Sequence, residues 1–133
     1  METKALVNDW IVQYGRRTGK YFHLGNNGVF AVKDDQGQEY VIDIPNNSEN
    51  VYFCAPIALL NDVNTKALGM EWGLKLNLWG QKTQGGTLSF EDSTNRIVFH
   101  KIFVIQKLDE SAFIDEFNVF IQDVDNIKQM WHE

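Results

Sequence analysis

The chain has almost none of the residues that staple or catalyse. Cys54 is the only cysteine among 133 residues, so neither an intrachain disulfide nor a thiolate metal cluster can form. Its place in a strand pattern between Phe53 and Ala55 marks a small buried hydrophobe rather than a nucleophile. The three histidines, His23, His100 and His132, stand far apart with no carboxylate or cysteine at metal-binding intervals. A phosphate loop is missing too: Gly25-Asn26-Asn27-Gly28 runs into a strand and lacks the Lys-Ser/Thr that such a loop requires. There is no nucleophile elbow. Asp34 and Asp35 are adjacent carboxylates on a hairpin tip, which is turn chemistry rather than an acid/base pair. The expectation is a protein that is not an enzyme and needs no cofactor or metal.

Long apolar runs are also lacking, which excludes membrane insertion through a helical span. Met1 to Arg17 is amphipathic and charged, unlike the apolar core of a signal peptide, so a cytoplasmic location is expected. Positive charge is scarce at one end only. The net charge is −6, yet residues 1–108 carry eleven acids and eleven bases. The whole excess lies in residues 109–133, where Asp109, Glu110, Asp115, Glu116, Asp123, Asp125 and Glu133 face the single Lys128. An acidic end disfavours nucleic acid, whose phosphates demand a basic footprint.

What is present is apolar and patterned. Hydrophobic residues at 44% and aromatics at 13% exclude a disordered chain. One domain, residues 1–133, is expected, large enough to bury roughly two-thirds of its chain surface. Thr3 to Arg17 reads as a helix with Leu6, Val7, Trp10, Ile11 and Tyr14 along one face. Three short strands follow, Val29–Lys33, Glu39–Ile44 and Val51–Ala55, separated by Asp34-Asp35-Gln36-Gly37 and Pro45-Asn46-Asn47-Ser48 turns.

The most informative stretch runs from Asn64 to Trp79. Met70, Trp72, Leu74, Leu76 and Leu78 alternate, as a strand would, but the length and the poverty of β-branched residues favour a helix. Wound as a helix it is apolar on two opposite sides, with Leu68, Trp72, Leu76 and Trp79 on one and Ala67, Met70, Leu74 and Leu78 on the other. One face can be buried on the chain's own sheet. The other asks for a partner, and a second copy of the same helix is the simplest one, with Gly69 and Gly73 placed to let its backbone approach. A second hairpin, Thr87–Phe90 and Arg96–Phe103, precedes a final helix capped by Asp109, on which Phe113, Phe117, Phe120, Val124, Ile127 and Trp131 share a face. The order α-β-β-β-α-β-β-α predicts an α+β single domain, an antiparallel sheet with helices packed on one face, forming a homodimer.

Particular strings then become familiar. Leu74 to Gly80, the Gly85-Gly86-Thr87-Leu88-Ser89-Phe90-Glu91-Asp92 hairpin and Arg96-Ile97-Val98-Phe99 resemble the class I chaperones of bacterial type III secretion, the Tir chaperone, CesT-SycE-like family. The closing helix after Leu108-Asp109, ending near Trp131, is similar as well. The resemblance implies a cytoplasmic homodimer that binds the N-terminal segment of one or a few secreted effectors, keeps it extended and delivers it for export, with release left to the secretion ATPase. It implies effector binding by the first helix and first hairpin, which maps to Trp10, Ile11, Tyr14, Val29, Phe30 and Val32, so that Phe30→Asp with Val32→Asp should abolish binding and spare the dimer. It places dimer contacts on the middle helix and long strand, either at Leu68, Trp72, Leu76 and Trp79 or at the opposite stripe of Met70, Leu74 and Leu78, with Ile97 and Phe99 beside them. Two other classes compete: a small-ligand-binding α+β domain lined by the surplus aromatics, and an adaptor that binds a cytosolic protein through its acidic last helix.

Overall fold

The computed structural model describes residues 3–132, so Glu133 of the acidic end lies outside the described residues. Helix α1 spans Thr3–Arg17 and is followed by β1 (Val29–Lys33), β2 (Glu39–Asp43) and β3 (Asn50–Leu59). Helix α2 covers Val63–Asn77 and passes into a 3-10 turn, Leu78–Gly80. Strands β4 (Thr87–Glu91) and β5 (Arg96–Val104), a short 3-10 turn and α3 (Glu110–Trp131) complete the chain. The five strands form one antiparallel sheet in the order β1-β2-β3-β5-β4. The α+β order expected from the sequence is the order observed.

Strand β3 shows why one face is covered. Val51, Phe53, Ala55 and Ile57 are buried, while Tyr52, Cys54, Pro56 and Ala58 between them are only half-buried. Phe53 sits at the centre of the core, its ring 5.6 Å from that of Phe113, 5.3 Å from Phe117 and 5.6 Å from Phe120 of α3. All three helices lie on this side. The opposite face, with Val41, Tyr52, Cys54, His100 and Ile102, carries no helix.

Cys54 therefore lies on the uncovered face, directly across from His100, and not beneath the helices. Burial pushes the Cys54 thiol up and the His100 imidazole down, so both are held in their neutral forms. A catalytic thiolate–imidazolium pair needs the reverse.

Strand β3 also runs four residues beyond Ala55, through a proline. Strand β2 reaches only as far as Cys54 in its pairing with β3, so the missing N–H of Pro56 deprives no neighbour. The Pro56 carbonyl is met by Gln38 Nε2 at 2.9 Å, and a bulge follows between Pro56 and Ala58.

The end of α2 is tied to the sheet by Asn77. Its Nδ2 donates to the Leu88 carbonyl and its Oδ1 accepts from the Leu88 N–H, both at 2.8 Å. One amide thus acts as a stretch of strand against the outer edge of β4 at Leu88. Asn77→Ala would leave both Leu88 groups unmatched and is expected to cost about 1–3 kcal/mol in a denaturant melt. A loss below about 0.5 kcal/mol would mean that water replaces the amide without penalty.

The two glycines of α2 differ in what they face within the protomer. A Cβ on Gly69 would lie 2.8 Å from Leu60, and one on Gly73 would meet Leu88 at 3.8 Å. The absence of a side chain at Gly69 lets α2 settle closely over Leu60, whereas at Gly73 the sheet leaves room for a Cβ.

Candidate functional site

Two surfaces stand out. The first is the free edge of the sheet at β1. Gly28 accepts from the Ile44 N–H at 2.9 Å and Asp34 N–H donates to Gln38 at 3.0 Å, so Phe30 and Val32 between them bond across to β2. By alternation Val29, Ala31 and Lys33 point their peptide groups outward. The Val29 carbonyl is taken by Gly25 N–H at 2.8 Å, which leaves Ala31 and Lys33 as the open stretch.

Beside this edge is a cleft of about 150 Å³ between β1, α1 and α3. Tyr14, Phe22, Val32, Tyr40, Phe117 and Ile121 form its apolar lining, with Lys20, Lys33 and Asp34 at its margin. The rings are locked by one another: Tyr14 meets Phe117 edge-on at 5.2 Å and Phe22 at 6.1 Å, and Phe22 meets Phe30 at 5.0 Å. Burial raises the Tyr14 phenol, and burial together with the Asp34 and Asp125 carboxylates pushes that of Tyr40 up to about 12. Both remain protonated donors at any physiological pH. A volume of this size receives a single benzene-sized group.

The second surface is the outer side of α2. Val63, Leu68, Met70, Leu74 and Leu78 are exposed there, and Trp79 just past the helix is 83% exposed. A groove between α2 and β4 runs alongside, lined by Met70, Gly73, Leu74, Leu88, Phe90 and Ile97.

The residues singled out in the sequence divide between surface and core. Tyr14 and Val32 line the cleft, and Val29 is half-buried on the uncovered sheet face. Trp10, Ile11 and Phe30 are buried under the helices, Phe30 at 6% exposure, so these three side chains are core in the protomer. Phe30 belongs there because an edge strand still turns every second residue inward. On α2, Leu68, Met70, Leu74, Leu78 and Trp79 are exposed, Leu76 is buried, and Trp72 packs on Trp131 with ring centroids 5.0 Å apart. Ile97 and Phe99 face the helices and are fully or nearly buried; it is Val98, His100 and Ile102 that alternate onto the other face. Met70, Leu74 and Leu78 are all exposed, whereas the other stripe is divided, with Leu68 and Trp79 exposed, Trp72 half-buried and Leu76 buried.

Sequence reasoning missed Phe22, Tyr40 and Ile121 as cleft residues. Tyr40 and Val32 are cross-strand partners, so an aromatic opposite a β-branched residue was the available signal. Among the described residues no group of histidine, cysteine, aspartate or glutamate could hold a metal, and no helix is long and apolar enough to cross a membrane.

The model of the Tir chaperone protein (CesT) family matches residues 10–128. No curated protein matches the chain by sequence. Among solved structures, the chain is similar to one in the ExsC–ExsE complex, with a TM-score of 0.76, 12% identity and coverage of 98% of this chain and 94% of that one. A chain of the HopA1–SchA chaperone–effector complex gives 0.72, 10% identity and coverage of 97% and 94%. The heterodimeric ExoU–SpcU complex from the type III secretion system of Pseudomonas aeruginosa gives 0.64, 16% identity and 93% of each chain. At such identities the likeness is one of fold.

Proposed function

Because the chain belongs to the Tir chaperone protein (CesT) family, we propose that it is a cytoplasmic class I chaperone of a bacterial type III secretion system. It acts as a homodimer joined through α2, binds the N-terminal segment of one or a few secreted effectors, and holds that segment extended for delivery. Release falls to the secretion ATPase, since the chain carries no nucleotide loop of its own. It works by binding and not by catalysis.

The observation that carries this reading is the open edge at Ala31 and Lys33 beside an apolar cleft. An extended segment laid along β1 gains main-chain hydrogen bonds at no cost in sequence, and its inward side chains find the cleft, which supplies selectivity. The adaptor reading loses ground because part of the acidic end is already satisfied: Asp123 is buried against Lys101 at 2.6 Å and Glu110 meets Arg17 at 3.5 Å.

The test is capture from the source bacterium on tagged protein, with mass spectrometry of what binds. A secreted protein held through a segment near its N-terminus is expected. Val32→Asp, at a half-buried position on the edge strand, should weaken that capture about 100-fold or more, because the new carboxylate meets the apolar cleft without a partner. Its melting temperature should stay within a few degrees of wild type. Phe30→Asp is not a binding test, since a charge in the core would unfold the chain. Undiminished capture by Val32→Asp would move the binding surface away from β1, and the absence of any secreted partner would end the chaperone reading.

A further inference from the structure

The ladder between β2 and β3 stops early. It ends at the Val41–Cys54 pair, short of Pro56, which has no N–H to offer, while β3 runs on to Leu59 against β5 alone. The β1–β2 hairpin continues past that point, through the Lys33–Glu39 pair to the contact between Asp34 and Gln38. A notch opens between hairpin and strand. It holds about 240 Å³, and its lining includes Lys33, Gln38, Glu39, Pro56, Arg96 and Lys128.

The amide of Gln38, buried at 8% exposure, organises this notch. Its Nε2 donates to the Glu39 carbonyl at 3.0 Å and to the Pro56 carbonyl at 2.9 Å, which turns Oε1 toward α3, where it accepts from Lys128 Nζ. An ammonium group is thereby held at the notch with only one of its three donors used. The helix dipole accounts for a cation in the last turn of α3, but not for a buried amide committed to holding it over a cavity.

Cations outnumber carboxylates in the lining, although the chain carries a net charge of −6. Arg96 is taken by Glu91 at 3.0 Å, and Glu39 is the one acid of the lining. Among the described residues neither Lys33 nor Lys128 makes a salt bridge. Lys33 also joins the notch to the apolar cleft, since it borders both, and its peptide group is one of the two open on the β1 edge. A segment paired along that edge passes from cleft to notch at this residue.

We infer that the notch takes an aspartate or glutamate side chain of the secreted segment, its carboxylate set between the Lys33 and Lys128 ammonium groups. The segment is then read by an apolar group in the cleft and an acidic one beside it. The inference rests on the edge pairing proposed above and adds a charge requirement to it.

Titration calorimetry on the full chain tests it, with a synthetic peptide of the captured protein's N-terminal segment as the probe. Lys33→Gln with Lys128→Gln should raise the peptide Kd about 10-fold at about 0.05 M salt and less than about 2-fold at about 0.5 M, with the melting temperature within a few degrees of wild type. Lys33→Glu with Lys128→Glu should raise it about 100-fold or more. Charge exchange is the decisive arm. Replacing one acidic residue of the peptide by lysine should weaken binding to wild type and restore binding to the Glu variant, which a change in packing alone cannot do. If the paired reversal does not fold, Lys33→Glu alone, at an exposed position, carries the same exchange. A Kd that these variants leave unmoved, or a peptide in which no acidic residue exchanges, would overturn the carboxylate site and leave the edge pairing standing. Inorganic phosphate bound at micromolar concentration, with the peptide indifferent to every variant, would overturn it in favour of a small-anion site. The absence of any secreted partner would end the chaperone reading and this inference together.

Discussion

Leu74→Asp is expected to turn the dimer into a folded monomer. Leu74 is 73% exposed in the protomer, so the substitution touches no core contact and should change protomer stability by no more than about 0.5 kcal/mol. In the proposed dimer the same side chain lies at the centre of the stripe of Met70, Leu74 and Leu78, where a carboxylate would be buried without a cation. Burying an unpaired charge costs several kcal/mol, and two-fold symmetry enters the cost twice. The dimer Kd should rise by more than about 1,000-fold, beyond reach of light scattering at micromolar protein. Val119→Asp, at an exposed apolar position on α3, serves as the control and should leave the dimer intact. A Leu74→Asp chain that still scatters as a dimer would place the interface on the uncovered sheet face instead. Should the secreted segment wrap both copies, the monomer would also lose the gain from simultaneous contacts, and its capture would fall with dimerisation.

Much of this architecture was legible because one-sided burial writes itself as a period. α1 has the limits expected of it, Thr3–Arg17, around an apolar face from Leu6 to Tyr14, and every aromatic on the α3 stripe from Phe113 to Phe120 is buried. β1 was read with its observed limits, since turn residues flank it closely. Other features depend on what lies across space. Pro56 reads as a strand terminator until the short reach of β2 is known. Ile97 and Phe99 look like interface residues on a strand that is apolar on both sides, and only the position of the helices decides which side is core. The two-faced pattern of α2 asks for a partner, but which of its residues stay exposed depends on the packing of Gly69, Gly73 and Leu76 against the protomer. The cleft was the least legible part, because Tyr14, Val32, Tyr40 and Phe117 come from four elements and converge only when α1 and α3 lie side by side on the sheet.

The other large effect concerns two residues that sequence alone consigns to the surface. Lys101 takes the place of a core residue on β5, aligned with Phe53 of β3 and facing the helices, and Asp123 of α3 comes down to meet it at 2.6 Å. Both are more than nine-tenths buried. Asp123→Ala would strand an ammonium group in the core and is expected to cost about 3–5 kcal/mol, a large share of the roughly 5–15 kcal/mol that holds a domain together. For a chain of this length that corresponds to a fall of roughly 10–20 °C in Tm by calorimetry. Replacing both partners, Lys101→Met with Asp123→Leu, removes the stranded charge and should return the stability to wild type or above it, since paired charges rarely outweigh well-packed apolar side chains. The two results together separate the penalty of breaking a pair from the worth of having one. Salt distinguishes this pair from the Arg96–Glu91 contact at 3.0 Å, whose side chains are a third or more exposed: the surface pair is screened, and the buried one should hold from low salt to 1 M. If Asp123→Ala costs less than about 1 kcal/mol, water reaches the ammonium and the pair is not core. If the cost is large and the double variant restores it, the remaining role of the pair is register. It fixes α3 along β5, and α3 carries both Ile121 at the cleft and Trp131 against Trp72 of α2. The double variant should then show normal stability with weakened capture of the secreted segment, which is the signature of a helix free to shift over a sheet it still covers.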